Sequence, residues 1–351
     1  VTRQNQSKLC FCARYSKFSP FSFLISPLNL LPLHLIIYKI NRTMKKSTFF
    51  ACLCAAIAFV SCTENKPMPN LPKAPLEVVS GTVYRTKLFN ANFGDSLTVD
   101  IWTPEGYNTA NTYPVLYMHD GQNLFDPNST WNKQAWNVDD AITQLVAENK
   151  IEAPIVVGVH SIGQTRIGDL MPEKVAPLIK DSTIFAYMDA MCQGNYRGDQ
   201  YVDFLVNTVK PFVDSVFSTK PAAENTAVMG SSMGGLMSFY ALCEAPQVFS
   251  KAGCFSTHIG NDPNNGALAY ALMDYLEQAL PKDNAHYIYL DCGDQNIDAP
   301  YAPFFPALVE KIENLGYKDR MLSGFYPGAG HTETDWAARV HVALEYFFSH
   351  R

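Results

Sequence analysis

The tightest constraint in the chain is Gly230-Ser231-Ser232-Met233-Gly234, set between an apolar run, Thr226–Met229, and an apolar stretch with helical spacing, Met233–Glu244. A G-x-S-x-G alone says little. Between a strand and a helix it describes a sharp, strained turn with a serine at its apex. Such a turn needs small neighbours, and Gly230 and Gly234 supply them, while Gly235 lets the helix pack closely. The competing reading is a Gly/Ser turn in which Ser232 only caps the helix. The apolar elements on both sides favour a nucleophile.

The rest of the chain alternates in the way such a turn requires. Gly81–Phe89 and Ser96–Pro104 show period-two patterning around Asn92-Phe93-Gly94-Asp95, a hairpin signal. Tyr113–His119, Ala153–His160, Lys251–Phe255, Ala285–Asp291 and Arg320–Tyr326 read as strands. Trp136–Asn149, Tyr201–Phe217, Pro303–Leu315 and Thr334–Phe348 read as helices. This order predicts an α/β protein: a mostly parallel sheet with an N-terminal antiparallel hairpin and helices on both faces, the α/β-hydrolase arrangement. Ser161 to Gly198 is a long insertion without clear periodicity, expected at the carboxyl edge of the strands, where sites form in open sheets.

A serine hydroxyl attacks only when a base takes its proton. In this order of elements the base follows the last strand, and Pro327-Gly328-Ala329-Gly330-His331 fits that place. The carboxylate that orients the base should leave the penultimate strand, where Asp294 and Asp298 both stand. Spacing favours neither. The oxyanion needs two donors. The Met233 N–H follows the nucleophile, and Gln122, in His119-Asp120-Gly121-Gln122-Asn123 after the third strand, offers the second. In this reading Gly121 permits the tight turn.

Tyr117-Met118-His119-Asp120-Gly121-Gln122-Asn123-Leu124-Phe125-Asp126, with Gly230–Gly235, resembles the esterase D and carbohydrate esterase family one group. That group includes feruloyl, acetylxylan and enterochelin esterases. The resemblance runs over residues 80–350, and Gly330-His331-Thr332-Glu333 with Asp335, Trp336 and Arg339 is similar to its closing motif. It implies a catalytic His331. Gly293-Asp294-Gln295-Asn296-Ile297-Asp298-Ala299-Pro300-Tyr301 resembles a family stretch that implies Asp298 as the acid, while other branches place the acid where Asn296 stands, which keeps Asp294 open. Phe255-Ser256-Thr257-His258-Ile259 departs from the Ser-Pro-x-Trp of many relatives, so the pocket is expected to differ.

The remaining features bound the setting. Formal net charge is -6 over 351 residues, which disfavours nucleic acid as a partner. Residues 44–62 read as a lipoprotein signal: Lys45 and Lys46, a short apolar core, then Phe59-Val60-Ser61-Cys62, with Cys62 as the lipidated residue. Residues 1–43 read as leader translated from a start codon set too early, 44–61 as signal peptide, 62–78 as a Pro-rich tether and 79–351 as the catalytic domain. The expected location is a bacterial cell envelope, with membrane contact only through the anchor. Cys192, Cys243, Cys254 and Cys292 form no C-x-x-C pair and read as disulfide partners or buried thiols. Neither a metal nor an organic cofactor is implied.

The expected reaction is two-step hydrolysis of carboxylic esters, the substrate being a small-molecule or carbohydrate ester carrying an acetyl or feruloyl group. Trp131, Trp136, Tyr196 and Trp336 are candidate stacking residues, and Arg166 and Arg197 candidate anion binders. Rival readings are a peptidase or acyltransferase on the same fold, a siderophore esterase, and a non-catalytic glycan-binding lipoprotein.

Overall fold

The strands bury alternate residues on opposite faces, and this places the sheet at the centre. In the computed structural model, which describes residues 66–262 and 264–350, Val115 and Tyr117 enter one apolar cluster while Leu116 and Met118 enter another. Val157 and Val156, Val228 and Met229, and Leu290 and Tyr289 divide in the same way. Side chains alternate across a strand, so a strand apolar on both phases needs a cover on each face. Each large apolar side chain fully buried here contributes roughly 1.5–3 kcal/mol.

Eight strands form one sheet: β1 (Thr82–Asn90), β2 (Asp95–Thr103), β3 (Val115–His119), β4 (Ile155–Val159), β5 (Thr226–Ser231), β6 (Lys251–Phe255), β7 (Tyr287–Gly293) and β8 (Met321–Tyr326). Their order is β1-β2-β4-β3-β5-β6-β7-β8. The β1–β2 and β2–β4 pairs are antiparallel and the others parallel. Gly94, at φ 68°, turns the β1–β2 hairpin, with its N–H on Asn90 O at 2.9 Å.

Helix α1 (Val138–Ala147) supplies Val138, Ile142 and Leu145 to the smaller cluster. Helix α2 is Ser182–Met191, and α3 runs over 198–216. Within α3 the turn Leu205–Val209 widens to a π-helix just before Pro211. Proline lacks the N–H that would reach residue 207 and its ring crowds that carbonyl. Helices α4 (Met233–Glu244), α5 (Ala267–Ala279) and α6 (Phe305–Ile312) cover the larger cluster with α3. Helices α7 (Glu333–Ala337) and α8 (Val340–Phe348) lie C-terminal to β8, and α8 packs with α1.

Three elements differ from the sequence reading. The insertion 161–198 contains α2, capped by the Asp181 side chain on the N–H groups of Thr183 and Ile184. The expected Thr334–Phe348 helix breaks at Arg339, which leaves helical geometry (φ −127°, ψ −1°) and turns inward to Asp291. Helix α5 has no counterpart in the sequence reading.

The four cysteines named above are free and buried. Ala74 N donates to Val83 O and Arg85 N to Pro72 O, both at 2.8 Å, so the C-terminal part of the Pro-rich segment is paired to β1. The readings placed on residues 1–65, Cys62 included, lie outside the described residues.

Candidate active site

Ser232 sits between β5 and α4 at φ 58° and ψ −122°, a left-handed conformation that a non-glycine residue holds only under constraint. The constraint is visible on both sides. Ser232 N donates to Phe255 O at 2.9 Å, and His258 N donates to Ser232 O at 3.1 Å. A Cβ at Gly230 would lie 2.9 Å from His119 Cδ2, and one at Gly235 would lie 3.0 Å from Phe255 O. Glycine is therefore required by packing at both places.

His331 follows β8 on the glycine-rich loop. Its Nδ1 lies 2.6 Å from Oδ1 of Asp298, a carboxylate with no exposure to solvent. The second oxygen of Asp298 accepts from Ser256 Oγ at 2.6 Å and from Gly293 N at 2.8 Å. Asp294 is turned elsewhere: its Oδ1 accepts from Gly328 N and Gln295 Nε2, both at 2.8 Å. Of the two carboxylates the sequence left open, the geometry joins Asp298 to His331.

Met233 opens α4, where the first N–H groups have no partner within the helix. Gln122 lies in the 3-10 turn Gly121–Asn123, and its side chain is tied to Ser161 by Nε2 to Oγ at 2.9 Å and by Ser161 N to Oε1 at 3.1 Å. The left-handed residue of this turn is Asp120, at φ 55°, rather than Gly121. Gly121 is needed for a different reason: a Cβ there would strike the Gly158 backbone of β4 at 2.4 Å.

Two cavities meet at Ser232 and His331. One, of about 350 Å³, is mostly apolar; Ile167, Tyr187, Met188 and Met191 from the insertion form one wall, with His258 and Tyr301 near Ser232. The other, of about 740 Å³, is the more polar of the two, with Gln122, Asn132, Gln134, Arg166 and Glu333 beside Trp131, Trp136 and Trp336 in its lining. Ile297 lines both. Ser232 and Tyr301 line the smaller cavity together, and among the described residues no direct hydrogen bond joins Ser232 to His331. Such contacts often tighten only once substrate is bound.

Arg166 makes a two-pronged ion pair with Asp120 at 2.6 and 2.7 Å. Burial pushes the Asp120 carboxyl up, but Arg166 outweighs it and holds the group below its ordinary value. Arg197 pairs with Asp169 and stacks over Phe93. Both arginines are thus engaged within the protein. Trp136 and Trp336 are buried and stacked at 5.4 Å, and the Tyr196 hydroxyl donates to Asp189. Trp131, 84% exposed at the rim of the polar cavity, is the one candidate aromatic left facing solvent.

The sequence reading assigned no role to Ser256, Arg339, His258, Tyr301 or Glu333, all of which adjoin the site. The motifs pointed at most of them: Glu333 and Arg339 belong to the closing stretch, Tyr301 ends the acid-bearing one, and Ser256 and His258 lie where the chain departs from its relatives.

The profile of the family described as "Putative esterase" matches residues 90–347. Among curated proteins, the chain is 22% identical over 232 residues to an endo-1,4-β-xylanase/feruloyl esterase of Xylanibacter ruminicola, which covers 62% of this chain and 26% of that one. It spans 54% of the matched Bacillus subtilis protein YbbA, also at 22% identity. Among solved structures, a CE1 ferulic acid esterase of Anaeromyces mucronatus superposes with a TM-score of 0.55 at 16% identity, covering 79% of this chain and 97% of that one. The enterobactin esterase of Shigella flexneri gives 0.57 at 16% identity, covering 80% and 60%. At such identities these likenesses concern the fold.

Proposed function

The chain belongs to the esterase family, and from that premise we propose that it is a serine esterase acting on acyl esters of carbohydrates, with Ser232 as nucleophile, His331 as general base and Asp298 as the orienting acid. The observation that carries the reading is the 2.6 Å contact from His331 Nδ1 to Asp298, in a cavity shared with a serine on a left-handed elbow.

In this mechanism His331 Nε2 takes the Ser232 proton as Oγ attacks the ester carbonyl. The N–H groups of Met233 and Gln122 hold the oxyanion. His331 then gives the proton to the departing alcohol and activates water to release the acyl group. Asp298 keeps the His331 proton on Nδ1 and stabilises the imidazolium that forms.

The two cavities support the substrate assignment. An apolar acyl group suits the smaller one, and a polyhydroxyl leaving group suits the larger, whose carboxylates accept and whose amides both donate and accept. The siderophore reading fits less well. Asp120 already engages Arg166 in the polar cavity, and Glu333 adds a second carboxylate, which disfavours a polyanionic ligand. For residues 44–62 we propose export and lipidation at Cys62, checked by the mass of the mature N-terminus.

The test is Ser232→Ala. Hydrolysis of p-nitrophenyl acetate and of feruloylated or acetylated oligosaccharides should fall by about 10⁴-fold or more, and fluorophosphonate labelling should vanish. Turnover retained by that variant would overturn the mechanism. Loss of aryl ester activity in Ser232→Ala, with no turnover of sugar esters by the parent, would overturn only the substrate.

A further inference from the structure

Ser232 has a neighbour to which the esterase mechanism gives no task. The Tyr301 hydroxyl lies 2.7 Å from Nδ1 of His258, and both side chains line the smaller cavity together with Ser232 and His331. Tyr301 is fully buried, and its backbone N–H donates to Asp298 O at 2.8 Å, so one turn sets both the acid and the phenol. His258 comes two residues after Ser256, and its own N–H holds the Ser232 carbonyl. The pair therefore reaches the elbow from the two loops that also surround the acid. The Tyr301 ring stands edge-on to His331 and to His258, with centroids 5.8 and 5.7 Å away.

Both groups are neutral near pH 7. Burial, reinforced by His331 and Arg166, pulls His258 down to about 3, while burial and then the Asp298 charge push Tyr301 above its ordinary value. A neutral imidazole carries one N–H, so the direction of the hydrogen-bond chain depends on which nitrogen holds it. With the proton on Nε2, Nδ1 accepts from Tyr301, and the Tyr301 oxygen accepts from Ser232. The serine proton then points away from His331. With the proton on Nδ1, His258 donates to Tyr301, Tyr301 donates to Ser232 Oγ, and the serine proton is free for His331. Only the second arrangement is ready to react.

Taking Ser232 as the nucleophile, we propose that Tyr301 is a further catalytic residue and His258 its positioning residue: the phenol donates to Oγ and directs the serine proton to His331.

The experiment compares Tyr301→Phe, His258→Phe and the double variant with the parent on p-nitrophenyl acetate, after melting curves establish that each is folded. Tyr301→Phe keeps the ring packed between the two histidines and removes only the hydroxyl. Its kcat should fall tenfold to a hundredfold, with KM within about twofold of the parent. The double variant should be no worse than Tyr301→Phe, because both changes break one chain. A kcat within twofold of the parent, a change confined to KM, or losses that multiply in the double variant would each overturn the proposal. If His258→Phe fails to fold, the rate of fluorophosphonate labelling of Tyr301→Phe decides: slowed labelling supports the proposal and the parent rate overturns it. An inactive Ser232→Ala beside a fully active Tyr301→Phe would strike this inference alone, whereas an active Ser232→Ala would strike the esterase mechanism beneath it.

Discussion

The hydroxyl of Ser256 donates to Oδ2 of Asp298 at 2.6 Å from a backbone held at φ 39°. A non-glycine residue in that region costs about 1–3 kcal/mol, so the surroundings must enforce it. They do so from below. Ser256 Oγ accepts from Trp336 Nε1 at 3.0 Å and from Arg339 Nη2 at 2.9 Å. Arg339 is buried against Asp291 at 2.8 Å, and Asp291 in turn accepts from Ser256 N at 2.9 Å. The carboxylate facing His331 thus stands on a closed polar network with no member left to solvent. Breaking that network leaves an uncompensated buried charge, the costliest kind of loss in a core.

This network ranks three substitutions. Asp298→Asn leaves the packing in place but favours the wrong His331 tautomer, and kcat should fall by about 10³–10⁴-fold. Ser256→Ala removes one supporting donor and should cost about 10–100-fold, the range seen when outer partners of a working group are lost. Asp294→Asn should stay within about twofold, because Asp294 bonds Gly328 and Gln295 and does not face His331. Steady-state kinetics on an aryl ester reads all three. Equal losses in Asp294→Asn and Asp298→Asn would show that the acid has been assigned to the wrong carboxylate.

A second prediction concerns stability against pH. Asp139 in the first turn of α1 is 1% exposed, accepts from Val79 N at 2.9 Å through Oδ2, and has no partner on Oδ1. Burial, with Asp140 adding to it, pushes its carboxyl up to about 6, while the Val79 N–H opposes. Between the ordinary value and about 6 the folded state holds a proton that the unfolded chain has released, so stability falls as pH rises through that window. Asp139→Asn retains an acceptor for Val79 and offers Asp140 a donor. The variant should be more stable than the parent by about 1–2 kcal/mol at pH 7.5, with the gap closing toward pH 4. Urea titrations at both ends measure it, and a pH-independent gap would show that Asp139 does not titrate in this window.

The sheet and the elbow were legible because their determinants are local. Alternation in β3, β5 and β7, and the succession of apolar strand, G-x-S-x-G and apolar helix, follow from a few consecutive residues. Helix α2 was not legible, since Met188 is its only buried residue and an exposed helix shows no apolar stripe. Helix α5 was legible and went unread: Leu268, Leu272 and Tyr275 keep helical spacing among good helix formers. The break at Arg339 could not be seen, because its cause, Asp291, lies 48 residues away. The same holds for the choice between Asp298 and Asp294, two carboxylates at similar spacing that only tertiary contacts separate.

The last prediction separates binding from chemistry. Trp131 presents its ring to solvent at the rim of the polar cavity, on a loop whose neighbour Asn132 donates to Glu333 Oε2 at 2.7 Å. Asn123 donates to the other oxygen of Glu333 at 3.0 Å, so the carboxylate fixes this loop to the base of the cavity two residues after His331. An exposed aromatic face beside oriented amides is suited to the apolar face and hydroxyls of a sugar ring. Trp131→Ala should therefore raise KM for an acylated oligosaccharide about tenfold and leave kcat close to the parent, while p-nitrophenyl acetate, which has no sugar to stack, keeps both constants. Removing a solvent-facing ring opens no cavity in the core, so the melting temperature should change little. A matched loss on the sugar ester and the aryl ester would mean that Trp131 supports the architecture of the site, and the carbohydrate would then have to be recognised elsewhere.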